Sequence, residues 1–217
     1  MDLFEAIQNR RSCRAYRPDP VSRELIAELL AWAGRAPSAI NVQPWEFIVV
    51  TGEEKERLAR RILKAHREKK VSCGPGTSRP LPEPWTGRQR RLYGAMKAIA
   101  EPLQLDLNHF VGEGSCQFYG APVAVLVCLD SLFPPVRMLD IGLALGNFFL
   151  AAQARGLGTC PIGLILAYED EIKEHLNIRE EKQLLLGLAL GYQDPAAPIN
   201  RLQADREAIG GMIRWIT

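Results

Sequence analysis

The sequence is short of several things, and each shortage excludes a class of protein. Its five cysteines, Cys13, Cys73, Cys116, Cys128 and Cys160, include no CxxC pair and no Cys/His cluster at zinc-ligand spacing. An odd, dispersed set of this kind reads as free thiols in a reducing compartment, not as a disulfide framework. Histidine is scarcer still, with His66, His109 and His175 each outside any motif. Surplus charge is missing: 27 Lys and Arg stand against 25 Asp and Glu, a formal charge of +2. A dedicated nucleic-acid binder needs a broader basic surface to neutralise phosphates. The longest apolar stretch, Ile141 to Ala154, is too short to span a bilayer and contains Asn147 and Gln153. The opening Met1-Asp2-Leu3-Phe4-Glu5 places acids where a signal peptide carries cations. The expectations are a cytoplasmic location, no membrane or nucleic-acid partner, and no metal site.

What is present is ordinary globular composition, 47% apolar over 217 residues, enough for one good-sized domain spanning 1–217. Leu3, Phe4 and Ile7 recur at helical spacing, so a short helix opens the chain over 2–9. Arg10 to Tyr16 reads as extended. Ser22 is a natural N-cap for a helix through Leu25, Ile26, Leu29, Leu30 and Ala33, stopped by Gly34 and Pro37. Phe47–Val50, Val123–Leu129 and Leu184–Leu190 are apolar runs that predict strands buried on both faces, and Leu164–Leu166 suggests another short strand. Helices are expected at about 53–70, 88–99, 110–119, 136–155 and 168–176. The helix over 136–155 is apolar nearly all round, so protein should bury it on every side, and Gly142 and Gly146 would admit another helix closely. A domain of this size has little room for such a helix unless a second subunit covers it.

Residues 71–87 hold Gly74, Pro75, Gly76, Pro80, Pro82, Pro84 and Gly87, which makes a Pro/Gly-rich flap. A loop-rich tail runs from about 195. Strands separated by helices imply an α+β fold, an α/β sandwich around one central sheet.

Two segments carry the chemistry. In an extended Arg10-Arg11-Ser12-Cys13-Arg14 the side chains of Arg10, Ser12 and Arg14 share one face. Guanidinium forks flanking a hydroxyl suit a phosphate. The second is Ala36-Pro37-Ser38-Ala39-Ile40-Asn41-Val42-Gln43-Pro44-Trp45, a helix-to-strand loop whose backbone N–H groups and Ser38, Asn41 and Gln43 suit the polar edge of a flat heterocycle. The bland readings are a solvated charged turn and a loop that caps its own backbone.

Together these segments resemble the nitroreductase family of flavin enzymes. Gly156-Leu157-Gly158-Thr159-Cys160-Pro161-Ile162-Gly163 and Leu188-Ala189-Leu190-Gly191-Tyr192, ahead of an Arg-bearing tail, agree with it. The resemblance implies a mixed, mainly antiparallel sheet flanked by helices in an intertwined homodimer, with FMN at each of two subunit-interface clefts. It implies that Arg10, Arg11 and Ser12 hold the FMN phosphate, with Arg201 returning to it from the tail. Arg14 would lie near flavin N1/O2 as an electrostatic tuner. Pro37, Ser38, Ala39 and Asn41 would reach the flavin from the partner subunit, and Pro161, Ile162 and Gly163 would line the ring. Where family members carry a Gly pair or an acidic residue and Gly, this chain has Gly163 and Leu164, so that contact is expected from backbone.

The implied activity is ping-pong transfer of hydride from NAD(P)H through flavin N5 to a nitroaromatic, quinone or similar small acceptor. The alternatives are a same-fold dehalogenase or flavin-fragmenting enzyme, and a flavin- or nucleotide-binding protein without turnover. The stretch from Lys55 to Arg91 is crowded with Lys and Arg against Glu56, Glu68 and Glu83. It reads as a solvated helix face, and the sharper alternative is that Arg88, Arg90 and Arg91 attract nucleotide phosphates. Trp85, Tyr93, Phe110, Phe118 and Tyr119 are candidates for an aromatic wall or, more commonly at such spacing, core. Cys160 suits packing better than redox work.

Overall fold

The computed structural model describes residues 1–71 and 79–217. Cys73, Gly74, Pro75 and Gly76 of the segment expected as a flap lie outside the described residues, while Pro80, Pro82 and Pro84 lead into the helix Trp85–Ala100, which contains Gly87. Helix α1 (Leu3–Asn9) starts at a capping box in which Asp2 Oδ1 accepts from the Glu5 N–H at 2.9 Å and Glu5 Oε2 accepts from the Asp2 N–H. Ser22 Oγ caps α2 (Arg23–Ala33) by accepting from the Leu25 N–H, and the helix ends at Gly34. Strand β1 (Trp45–Thr51) leads through Gly52, at φ +59°, into the basic helix α3 (Gly52–Lys69). Helices α4 (Trp85–Ala100) and α5 (Leu107–Cys116) follow. After them come β2 (Val123–Asp130), α6 (Met138–Ala154), β3 (Leu157–Ile162), α7 (Glu169–Leu176) and β4 (Lys182–Tyr192).

The sheet order is β1-β2-β4-β3, with every ladder antiparallel. The one parallel pairing among the described residues is the isolated bridge Ser12–Thr159 beside β3, at the sheet edge. Alternation along β2 builds the two cores. Ala124, Leu126 and Cys128 meet Leu58 and Ile62 of α3 and Ile172 of α7, while Val123, Val125, Val127 and Leu129 meet Ile26 and Leu29 of α2 and Phe148 of α6. Each fully buried Leu or Val contributes about 1.5–3 kcal/mol, so this strand anchors the three-layer α+β sandwich.

Three expectations need correction. Strand β1 is not buried on both faces: it is an edge strand in which Val50 is buried and Val49 is exposed. Leu164–Leu166 is no strand but part of a 3-10 turn, Leu164–Tyr168. Ile165 of that turn sits over Gly187 of β4, where a Cβ would come within 2.1 Å of Ile165 Cδ1. An apolar triplet suits any core element, and here the missing side chain at Gly187 admits a turn.

Helix α6 is not covered all round by its own chain. Ile141, Ala144, Leu145, Phe148 and Ala152 are buried, but Leu139 is 69% and Leu143 51% exposed. A Cβ added at Gly142 or Gly146 would meet nothing within 4 Å. With the turn before it the helix runs Pro135–Ala154, long and apolar enough by itself to cross a bilayer, contrary to the sequence expectation. Its inner face is locked against the sheet and α2.

Candidate functional site

The run Arg10–Arg17 is extended and lies against β3 and the end of β4. The Cys13 N–H donates to Thr159 O at 2.9 Å, the Arg17 N–H to Tyr192 O at 2.8 Å, and the Asp194 N–H to Ala15 O at 3.0 Å. Two glycines facing each other across the β3–β4 ladder, Gly158 and Gly191, make this close approach possible. A Cβ on Gly158 would lie 2.8 Å from Cys13 Sγ, and one on Gly191 would lie 2.5 Å from Pro122 and 3.1 Å from Tyr16. Cys13 therefore turns into the protein, and its neighbours turn outward.

Outward of this run is a cleft of about 410 Å³, within the usual size range of cofactor pockets. Arg10, Arg11, Ser12 and Arg14 form one wall, Leu92 of α4 stands opposite, and Gln203 to Arg206 of the tail close the side. None of the four arginines is ion-paired with a carboxylate among the described residues. Burial, and then the Arg206 charge, push the Arg10 guanidinium below its ordinary value. An anion between these cations would relieve both strains.

Asn200, 7% exposed, holds the run in place. Its Oδ1 accepts from the Arg14 N–H at 2.8 Å, and its Nδ2 donates to Ala15 O at 2.7 Å and Asp194 O at 3.0 Å. The Arg10 guanidinium lies 5.9 Å from the Phe149 ring of α6, and that of Arg14 lies 6.0 Å from the Tyr119 ring. Phe118, Tyr119 and Gly120 are successively left-handed, at φ 52°, 53° and 74°. That conformation costs a residue with a side chain about 1–2 kcal/mol.

The structure brings Arg10, Arg11, Ser12 and Arg14 together as expected, but not Arg201. Arg201 ends the 3-10 turn Pro198–Arg201 with its side chain exposed, and Arg206 is the tail arginine on the cleft wall. At the end of β3, Pro161 and Gly163 are exposed while the Ile162 side chain belongs to the core. The Cys160 thiol is buried, and burial pushes it up to about 11, so it stays protonated near neutrality.

The loop with Pro37, Ser38, Ala39 and Asn41 lies elsewhere on this chain. The Ala39 N–H donates to Asp140 Oδ2 at the start of α6. Asp140 is nine residues from Phe149, about 13.5 Å along a helix. Ser38 Oγ accepts from the Gln43 N–H at 3.0 Å, and Gln43 Nε2 donates to Asn41 Oδ1 at 3.1 Å. The tip residue Ile40 is 95% exposed.

The basic stretch is largely answered by carboxylates. Arg88 pairs with Glu207 at 3.4 Å, Arg91 with Glu207 and Asp205, and Arg90 with Glu83 at 3.2 Å. Of the candidate aromatic wall, Phe118 is core, Phe110 lies tilted against Tyr119 with ring centroids 5.7 Å apart, and Trp85 is half-exposed at the start of α4. Tyr93 lines a separate cleft with His66 and Glu113. Sequence reasoning named Arg201 and neither Asn200 nor Arg206; both tail arginines are exposed, and on this chain Arg206 is the one that borders the cleft. No periodicity in the tail distinguishes them.

A family model described as "Nitroreductase family" matches residues 7–192. A 4-nitrobenzoate reductase of Pseudomonas putida is 33% identical over 223 residues, covering 99% of this chain and 96% of that one. Nitroreductase NfnB of Mycolicibacterium smegmatis is 33% identical over 99% of this chain and 94% of its own. The crystal structure of the FMN-dependent nitroreductase NfnB from Mycobacterium smegmatis in complex with NADPH superposes with a TM-score of 0.88 at 28% identity, covering 99% of this chain and 97% of that one. By motif, fold and full-length similarity alike, the chain belongs to the nitroreductase family.

Proposed function

We propose that this chain is an FMN-dependent oxidoreductase that uses NAD(P)H to reduce nitroaromatic, quinone or similar acceptors. The observation that carries the reading is the cleft with four guanidinium groups, a hydroxyl and, among the described residues, no carboxylate ion-paired with any of the four. This donor set fits a phosphate monoester, because fork-shaped cations bind its oxygens in pairs. Arg10, Arg11, Ser12 and Arg206 take the phosphate, Arg206 standing where Arg201 was expected. Arg14 is left as the cation for the N1/O2 edge of the flavin. When bound, FMN supplies the two-electron chemistry, taking hydride at N5 and passing electrons to the acceptor. The relatives named as 4-nitrobenzoate reductase and NfnB, and the NfnB structure with NADPH, support nitroaromatic acceptors and nicotinamide donors.

The site is completed by a second copy of the chain. Leu139, Gly142, Leu143, Gly146 and Asn147 form an exposed stripe on α6, with the Ser38–Asn41 loop near one end and Phe149 with Arg10 near the other. Two such stripes packed antiparallel about a two-fold axis bring each loop to the partner's arginine cleft. Pro37, Ser38, Ala39 and Asn41 then face the flavin across the interface, and Pro161, Ile162 and Gly163 offer backbone to its ring. Residues 1–217 act as one flavin-binding domain. A cytoplasmic setting accords with Cys13, Cys116, Cys128 and Cys160, all unpaired.

The test is anaerobic NADPH consumption by FMN-loaded protein with 4-nitrobenzoate or a benzoquinone. Acceptor-dependent oxidation at multiple turnovers supports the reading, and FMN-loaded protein that consumes no NADPH with either acceptor contradicts it.

A further inference from the structure

We infer that Tyr119 is the positioning residue for Arg14: the left-handed turn Phe118–Gly120 presents its ring as a platform that holds the Arg14 guanidinium at the cleft and thereby sets how much more tightly the site binds reduced than oxidised flavin. The inference rests on the flavin reading above and adds a residue to it.

Arg14 is weakly held by hydrogen bonds. Its guanidinium donates a long one, Nη1 to Ser12 O at 3.4 Å, within its own strand, and has a further side-chain interaction with the Tyr119 hydroxyl. Its other fixed neighbour is the Tyr119 ring, 6.0 Å from Cζ, at the range where a cation is drawn to an aromatic face. The ring itself is held firmly. Tyr119 Oη and Ser115 Oγ share a hydrogen bond at 3.1 Å, and the Phe110 ring lies 5.7 Å away. Gly114 of α5 gives it room, since a Cβ there would lie 2.8 Å from Tyr119 Cε1. Phe118, wholly buried, anchors the turn in the core.

An ordinary core aromatic needs no left-handed backbone, and unfavourable backbone persists only where surroundings over-determine it. What this one achieves is to aim a ring at Arg14. A carboxylate in the same place would also fix the guanidinium, but it would cancel the charge. An aromatic face fixes the geometry and leaves the full positive charge available to the flavin edge. Burial pushes the Tyr119 phenol above its ordinary value, so the platform stays neutral at working pH.

The experiment compares Tyr119→Leu, Tyr119→Phe and Arg14→Gln by the two-electron midpoint potential of FMN-loaded protein. Tyr119→Leu should shift the reduced-over-oxidised affinity ratio against reduced flavin by about fivefold to tenfold, tenfold being about 30 mV. The shift should follow that of Arg14→Gln, and Tyr119→Phe, which keeps the face and loses only the hydroxyl, should shift less than half as far on the logarithmic scale as Tyr119→Leu. A potential unmoved in Tyr119→Leu, while Arg14→Gln lowers it, overturns the inference even if both Tyr119 variants melt earlier. A second arm needs no flavin: the Arg14 Nε–Hε NMR signal of flavin-free protein should be ring-current shifted and lose that shift in Tyr119→Leu. An unchanged signal also overturns the inference. If the protein takes up no FMN, or Arg14→Gln leaves the potential unmoved, the flavin reading has failed, and the NMR arm alone decides whether the platform exists.

Discussion

Asn200 offers the most direct way to separate the cleft from the fold. It makes three hydrogen bonds, all to backbone, and two of them clamp the strand that carries Arg10, Ser12 and Arg14. Asn200→Ala removes all three and leaves a half-buried Arg14 N–H without its side-chain acceptor. At about 0.5–1.5 kcal/mol net for each bond, the loss is about 2–4 kcal/mol. A domain's whole stability is about 5–15 kcal/mol, so the variant folds but is measurably weakened. The bonds from Cys13 to Thr159 and from Asp194 to Ala15 keep the strand in its general place.

Flavin affinity should fall at least tenfold, because the guanidinium forks lose their fixed spacing. Asn200→Asp sharpens the case. Its carboxylate can still accept from the Arg14 N–H, but it faces the carbonyls of Ala15 and Asp194, where only a donor belongs. The folded protein therefore raises that carboxyl's pKa above about 3.9, its unfolded value. The penalty is full at pH 8 and shrinks as pH falls toward 5, where protonation restores a donor. Urea denaturation at the two pH values, paired with FMN titrations, measures both effects. Asn200→Ala within 0.5 kcal/mol of the parent, with unchanged FMN affinity, would refute the reasoning.

Arg206→Gln should weaken FMN binding tenfold or more and flatten its salt dependence, while Arg201→Gln changes it less than twofold; titrations at low and high salt check both. Gly146→Leu adds a side chain where this chain offers nothing to hit, so the subunit should fold while light scattering shows the mass of one chain and flavin is lost. An intact dimer would remove the α6 interface. Arg67 hydrogen-bonds Glu113 in bidentate fashion and thereby holds its carboxyl below the ordinary 4.5. That contribution to stability is present above pH 4.5 and lost as pH falls through the depressed value. Arg67→Gln should accordingly be less stable than the parent at pH 6, with the difference closing below pH 4 in denaturation curves.

Much of this was legible in the sequence where local signals act alone. Ser22 and Gly34 delimit α2 because capping is a property of a few neighbouring groups. The uninterrupted Val123–Leu129 run announces β2 because both its faces need apolar partners. Alternation along Arg10–Arg14 correctly turns Cys13 away from Arg10, Ser12 and Arg14, but does not place Arg11, which lines the cleft beside those three. The failures arise where a neighbour decides. Apolarity in β1 reports a strand, but not that it takes the edge of the sheet with one face largely open.

Strand β3 was hidden by the residues that make the site. Gly158 and Pro161 are poor strand formers, yet Gly158 is what lets Cys13 and the arginine run lie against the sheet. The left-handed turn at Tyr119 has no signal in composition, since Phe-Tyr-Gly reads as core followed by a turn. Asn200 and Arg206 sit in a tail without periodicity, so only the folded chain shows that Asn200 turns inward and that Arg206, though exposed, borders the cleft.

The measurement closest to the central claim is an anaerobic visible spectrum of purified protein incubated with FMN and passed through a desalting column, before and after NADPH and then NADH. The account predicts retained flavin bands that bleach with at least one nucleotide, and loss of that retained flavin in a variant lacking Arg10 and Arg206. Protein that emerges colourless, or flavin that neither nucleotide can reduce, would contradict it.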